Sequence, residues 1–460
     1  MRGDALDRRA VRPRIGEEVD HRLLVHPGAR LPTDRRPVLT QVTDLAARAR
    51  DLVVWRIDEG EGAMAGPGTG RRELPPFTRA EFEGRLARAR ALMTKARLDA
   101  MLLTSEANLE YMSGFQTQFA WNTPTRPWYL VVPRVGRTVA VIPETGLTNW
   151  RATSWVEDVR TWPSPRPQNE GLDLLAAALG GVRRRFGRFG AELGPESRLG
   201  MPMGDLLRLA RSLRGFALAD CMGVMRELRL VKSEAEVARI RRMCGIACDV
   251  FDAMGSILAD GDTERDLVRT FQAAMMLRGA DKTPYTSIGS GRGGYDSIIM
   301  GPTTRRLRKG DIFLIDTGSR YDGYFCDFDR NYSIGPAPDA AKRVHELLWR
   351  ATEAGIDAAR PGRTAADVFA AQAKVLTDGG IALGNVGRFG HGLGRVMTEP
   401  PSNKPDDQTV LRPGVVLTIE PSAMYGRGKI LVHEENLVVT EDAPVLLSRR
   451  APREIPELRP

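Results

Sequence analysis

Apolar residues recur at helical spacing along FEGRLARARALMTKARL (82–98), and DAMLLT (99–104) directly after it reads as the strand that this helix feeds. Two further short strands, WYLVVPR (128–134) and TVAVIP (138–143), are separated by Gly136. This alternation predicts a small α/β domain. Further along, LVKSEAEVARIRRMCGIACDVFDAM (230–254) predicts a long helix, with Ser233 as N-cap and Glu236 completing a capping box. Beyond it the runs DIFLIDTGS (311–319), YDGYFCDFDRNYSI (321–334), VVLTIEP (415–421) and NLVVTE (436–441) predict strands separated by turn residues. Amphipathic helices are expected near 338–358 and 364–379. Strands with turn chemistry plus such helices predict an α+β domain. The chain therefore divides into a polar extension over 1–75, a smaller α/β domain over 76–225 and a larger α+β domain over 226–460. Within the extension, LTQVTDLAARARDLVVW (39–55) is expected to be helical, and GEGAMAGPGTG (60–70) marks a loop.

A length of 460 residues with 42% hydrophobic content suffices for two medium-sized cores. No stretch approaches the roughly 18 uninterrupted apolar residues of a membrane span. The basic start MRGDALDRRAVRPR lacks the apolar segment and cleavage site of a secretory signal, so a cytoplasmic protein is expected. The formal charge of +9 is spread as single arginines and short pairs, densest at RRRFGRF (183–189). Without a recognition motif it reads as a solvated surface, and no nucleic-acid partner is expected. Cys221, Cys244, Cys248 and Cys326 do not fall at zinc-ligand spacing and are expected in the core.

The chemistry gathers in the second half. Asp316 ends DIFLID, and Asp327 lies eleven residues later in GYFCDFD, with GSRYDG between them as a turn. On neighbouring antiparallel strands the two side chains can approach within a few ångströms. Glu420 ends the apolar run GVVLTIE, stopped by Pro421, and Glu434 opens HEENLVVTE. His391 stands between glycines in FGHGLG, in a chain with only 5 histidines. A buried cluster of acids requires a compensating positive charge. Carboxylate oxygens with one imidazole suit Mn²⁺, Fe²⁺, Co²⁺ or Zn²⁺.

The segments DTGSRYDGYFCD, GHGLG, TIEP and HEENLVVTE resemble the metal-binding segments of the M24 superfamily, the creatinase, prolidase and aminopeptidase P-like metallohydrolases. The resemblance covers roughly residues 80–445. It implies a creatinase-type N-terminal α/β domain followed by a catalytic domain of the pita-bread fold. It also implies two divalent transition-metal ions (Mn, Fe, Co or Zn), a small-molecule or dipeptide substrate, and a homodimer. Carried onto this chain, Asp316 would hold one ion, Asp327 and Glu434 would bridge the pair, and His391 and Glu420 would complete the ligands. Glu420 is also the expected proton carrier between the attacking water and the leaving nitrogen. The expected reaction is hydrolysis of a C–N bond, amide or amidine, through a metal-activated water.

Two positions depart from the peptidase pattern. Where the peptidases carry further histidines beside the metals, this chain has Met300 and Thr398. A thioether cannot donate a hydrogen bond to the substrate carbonyl, and a threonine hydroxyl does so more weakly. The departures keep other branches open beside an Xaa-Pro aminopeptidase or dipeptidase: hydrolases of ectoine-like cyclic amidines, and metal-dependent lyases of dimethylsulfoniopropionate. The lyases carry a DTD pattern where this chain has DTG, with Gly318 in place of the second acid, although Asp329 offers an acid nearby. For substrate contacts, Trp121, Arg126 and Trp128 in FQTQFAWNTPTRPWY would line the mouth of the site. The glycine-rich YTSIGSGRGGYDS (285–297) would form a flexible wall beside the ions, with Tyr285 and Arg292, and Thr398 further along, as substrate contacts.

Overall fold

The computed structural model describes residues 73–117, 122–123, 125–384 and 387–459. The helix expected at 39–55 and Trp121 lie outside them.

The first sheet is built from β1 (Ala100–Leu103), β2 (Tyr129–Pro133), β3 (Val139–Pro143), β4 (Asp158–Trp162), β5 (Arg188–Ala191) and β6 (Ala217–Asp220), in the order β4-β3-β2-β1-β5-β6. It is mixed: β2 runs antiparallel to β1 and β3, and the β3–β4, β1–β5 and β5–β6 pairs are parallel. Every residue of β1, β2 and β3 is buried. Helices cover both faces, so Met101 and Leu103 join one core cluster while Ala100 and Leu102 join another. Both faces being dry explains why these strands read as continuous apolar runs rather than alternating ones. The feeding helix forms as expected but spans Arg79–Lys95, starting at the Thr78 N-cap and ending three residues before the predicted 98.

The helix Glu234–Asp252 opens the larger domain with the capping box its sequence announces: Glu236 N–H donates to Ser233 Oγ at 3.4 Å, and Ser233 N–H donates to Glu236 Oε2 at 3.0 Å. The strands that follow are β7 (Lys282–Arg292), β8 (Asp311–Tyr321), β9 (Tyr324–Phe325), β10 (Phe328–Ile334), β11 (His391–Gly392), β12 (Glu399–Ser402), β13 (Val416–Ile419), β14 (Ser422–Tyr425), β15 (Lys429–Val432), β16 (Glu435–Val438), β17 (Val445–Leu446) and β18 (Glu457–Leu458). One sheet runs β18-β10-β8-β7 with β9 against β8, another runs β12-β11-β13-β16-β17, and β14 pairs with β15. The two expected helices span Asp339–Ala358 and Ala365–Asp378.

Two local expectations are corrected. The glycine-rich run from 285 is not a flexible wall as far as residue 292: it is the second half of β7, hydrogen-bonded to β8 along its length. The run YDGYFCDFDRNYSI is not one strand but two, interrupted at Cys326 and Asp327. The cysteines meet their expectation, since all four are free and buried. Among the described residues, no helix is long and apolar enough to cross a membrane.

Candidate metal centre

Five strands deliver the predicted donors to one place. Asp316 stands within β8, Asp327 lies just before β10, His391 opens β11, Glu420 follows β13, and Glu434 immediately precedes β16. Asp327, His391 and Glu434 are buried, and each offers a ligand atom within 4.8 Å of the other two. His391 Nε2 lies 3.5 Å from Asp327 Oδ2 and 4.0 Å from Glu420 Oε2. Asp316 and Glu420 are only partly covered, so they form the outer side of the cluster.

Each donor is fixed by its local backbone. Gly390 adopts φ +119° and packs so closely that a Cβ there would meet the Thr418 carbonyl oxygen at 2.2 Å. Only glycine lets β11 approach β13 this way. His391 N–H then donates to Thr418 Oγ1 at 3.1 Å. The imidazole Nδ1 lies 2.9 Å from the Gly392 carbonyl oxygen, to which it can only donate. That bond fixes the tautomer and leaves the Nε2 lone pair facing the carboxylates, the state in which imidazole binds a metal.

Asp327 sits where the ladder is broken, and Asn436 supplies the missing partners. The Asp327 N–H donates to Asn436 Oδ1 at 3.0 Å, and Asn436 Nδ2 donates back to the Asp327 carbonyl at 2.5 Å. Asn436 therefore sets the spacing between Asp327 and Glu434, and nothing in its sequence context announced it. Glu434 and Glu435 point apart. Glu435 is held by Arg330 at 3.0 Å, Arg450 at 3.2 Å and the Ala451 N–H at 2.7 Å. Glu434 faces the cluster, and its Oε1 is buried without a hydrogen-bond partner.

The electrostatics of the chain alone are unfavourable. Burial, with no resolved positive charge large enough to offset it, pushes the Asp316 carboxyl up to about 6 and the Glu420 carboxyl up to about 8, the latter also raised by Asp316. Burial and then the Asp316 charge push Asp327 well above the usual range; burial and then Glu420 do the same to Glu434. Burial holds His391 down at about 4, so its imidazole is neutral. Unpartnered buried oxygens on Asp316 (Oδ1) and Glu434 (Oε1), with a neutral imidazole lone pair among them, are what a divalent cation site requires. The donor set fits the metal that the sequence implies.

The structure separates the remaining predicted contacts. Tyr285 stands on β7 and donates from Oη to Asp316 Oδ2 at 3.0 Å. Thr398 is half-buried, between Met397, which packs on Gly318, and Glu399. The backbone of Met300 bonds to Ser287 Oγ at 3.0 Å, and Ser287 is the cross-strand partner of Asp316. Arg292 is exposed and paired with Asp311, five residues before Asp316 on β8 and so roughly 16 Å away. Trp128 does not line a mouth: it is 4% exposed and stacks on Phe115 and Trp150 at ring separations of 4.5 and 6.3 Å. Its apolar neighbours in β2 carry it into the core of the smaller domain. Arg126 sits in a left-handed turn (φ +58°), where its N–H donates to the Glu170 carboxylate at 3.2 Å.

Gly318, at the place of the second acid of a DTD pattern, is occupied by a neighbour. A Cβ there would lie 2.0 Å from Met397 Sδ and 2.9 Å from its Cγ. Gly318→Ala is expected to cost about 1–3 kcal/mol through overpacking. Adding Met397→Ala should recover most of that loss. Urea unfolding of the two single variants and the double variant checks it; an additive double variant would mean that Met397 simply swings aside.

The wall carrying Met397 and Thr398 is tied down at both ends, to the smaller domain at one and to the start of the larger domain at the other. Arg395 bonds to Glu110, and Glu399 pairs with Arg229 and with Lys232 Nζ at 2.8 Å. None of these pairs was visible in the sequence, because the partners lie some 170 to 285 residues apart.

Comparison with known proteins agrees with this geometry. The profile of metallopeptidase family M24 matches residues 238–442, and that of the creatinase/prolidase N-terminal domain matches residues 85–231. The chain is 32% identical over 370 residues to a Mycobacterium tuberculosis protein named "Probable dipeptidase PepE", covering 79% of this chain and 93% of that one. It is 26% identical over 359 residues to a Pyrococcus horikoshii Xaa-Pro dipeptidase, covering 78% and 94%. The crystal structure of dipeptidase PepE from Mycobacterium ulcerans matches with a TM-score of 0.71 at 30% identity, over 84% of this chain and 100% of that one. A prolidase from Thermococcus sibiricus matches with a TM-score of 0.73 at 24% identity, over 82% and 99%, which shows likeness of fold.

Proposed function

We infer substrate and mechanism from one premise: the chain belongs to metallopeptidase family M24, with a creatinase-type domain ahead of a pita-bread domain, and is a metal-dependent hydrolase. We propose that it cleaves the amide bond of a dipeptide or a similarly small amide. The observation that carries this is the buried convergence of Asp327, His391 and Glu434 with Asp316 and Glu420 beside them. Similarity to proteins named as dipeptidases supports the substrate class.

Five donors exceed what one ion with an open position needs, which supports two ions, Mn, Fe, Co or Zn, that Asp316, Asp327, His391, Glu420 and Glu434 would hold. Bound divalent ions supply an acidified water at neutral pH and a Lewis acid for the scissile carbonyl. The protein's part is to hold, orient and move protons. Glu420, the more accessible carboxylate beside His391, takes the proton released on attack and delivers it to the leaving nitrogen. Tyr285 holds Asp316 in place through its 3.0 Å hydrogen bond. Thr398 offers a hydroxyl toward the substrate, and Met300 offers no donor at all. The absence of both histidines removes strong donors for a peptide carbonyl, so a short substrate positioned mainly by its charged ends suits this pocket. Arg126 is the remaining candidate for such an end.

The lyase reading is disfavoured by Met397, whose sulfur fills the space that a second acid at position 318 would take. The proposed division at 75 and 225 is supported by family matches that begin at 85 and 238. A homodimer and a cytoplasmic location belong to the same reading; four free, buried cysteines suit a reducing compartment.

The test is a substrate panel on protein reconstituted with Mn²⁺ or Co²⁺: dipeptides with and without proline, a cyclic amidine and a sulfonium zwitterion. Dipeptide hydrolysis that a chelator abolishes and added metal restores is the expected outcome. Turnover of the zwitterion alone, by elimination, would replace the hydrolase reading with the lyase.

A further inference from the structure

The expected pairing of Asp316 with Asp327 is not the pairing that β8 and β10 adopt. Their register sets Asp329, not Asp327, directly opposite Asp316. Cross-strand partners hold their Cβ atoms about 5 Å apart with side chains on the same face of the sheet. Asp329 thus stands on the face that carries Asp316 and its bond to Tyr285. Its side chain is 2% exposed, and its Oδ2 is buried without a hydrogen-bond partner. The facing charges are Asp316, Glu420 and Glu435, opposed by Arg330, which turns to Glu435 and the Arg449 carbonyl instead. A carboxylate so placed is costly in the protein alone and becomes favourable beside a cation.

We propose that Asp329 is a further protein ligand of the metal centre, converging with Asp316 on the same ion. Resting on the metal-dependent reading above, it makes the centre one of five carboxylates and one imidazole. The extra negative charge favours a hard, oxygen-seeking divalent ion at the Asp316 side over a nitrogen-preferring one. Asp327 precedes β10 rather than belonging to it, yet it feels the charge of Asp329, so both acids face the same cluster.

The test uses metal-stripped full-length protein titrated with Co²⁺, following the visible absorption band and the bound ion count, for wild type, Asp329→Asn and Asp329→Thr. The inference expects at least a tenfold loss of affinity for one of the bound ions in both variants, with a changed cobalt spectrum. It also expects the metal-free variants to melt higher than metal-free wild type, because a repelled buried charge has been removed; a packing role would lower that melting temperature. Equal affinity and an identical spectrum in either folded variant would overturn the proposal. If wild type itself binds no Co²⁺, the metal-dependent reading fails, and the role of Asp329 fails with it.

Discussion

Glu434→Ala is expected to empty the metal centre. Wild type reconstituted with Mn²⁺ or Co²⁺ should retain about two ions per chain after desalting, and the variant one or none. Glu434 is 2% exposed, shares a 4.8 Å triangle with Asp327 and His391, and has an unpartnered oxygen. The neighbouring Glu435 cannot take its place, because it is already committed to Arg330, Arg450 and Ala451. Hydrolysis should fall by about three orders of magnitude or more, since acidified water and Lewis-acid assistance disappear together. Elemental analysis and single-substrate kinetics on the same samples check both parts. Full metal occupancy in the variant would remove Glu434 from the ligand set.

The second large effect is a pH dependence of stability that metal abolishes. In the metal-free protein, Asp316 titrates near 6 and Glu420 near 8, and Asp327 and Glu434 are also pushed up, in each case by burial first. Unfolded carboxyls titrate near 4. Between those values the folded chain binds more protons than the unfolded chain, so stability falls as pH rises. His391, held down near 4, acts in the opposite direction: its neutral form adds stability as pH rises up to its unfolded value near 6.5. The carboxylate penalty is therefore unopposed above pH 6.5. Metal-free protein should lose stability between pH 6.5 and 9, about 2 kcal/mol of it from Glu420, raised to about 8, at about 1.4 kcal/mol per unit, with Asp327 and Glu434 adding in the same direction. Saturating Mn²⁺ should flatten or reverse the slope, because ions bind the deprotonated ligands. Thermal melts across this range, with and without metal, decide it. A flat metal-free profile would mean that the cluster is relieved by something other than a cation.

The two domains differ in how much of their structure could be read in advance. In the smaller one, strands dry on both faces wrote themselves as apolar runs, and DAMLLT, WYLVVPR and TVAVIP became β1, β2 and β3 within a residue or two. In the larger one, capping chemistry placed the helix at Glu234, because a Ser–Glu box satisfies backbone donors locally. The strand β7 was hidden by its glycines, which lower local strand preference but are tolerated where β8 pairs along the whole run. Aromatics between turn residues looked exposed, yet Phe115, Trp128 and Trp150 stack into one buried group.

What the sequence determined by itself was which side chains to propose for the chemistry: four acids in or beside strands and a glycine-flanked histidine. Side-chain type and local backbone demands are written residue by residue. What only the tertiary structure decided was their arrangement. Strand register set Asp329 against Asp316, Asn436 fixed the break at Asp327, Met397 closed the space beside Gly318, and buried ion pairs tied the 395–399 wall to Glu110 and Arg229. Each depends on contacts between residues distant in the chain, whose energies exist only once the strands have paired and the domains have closed on one another.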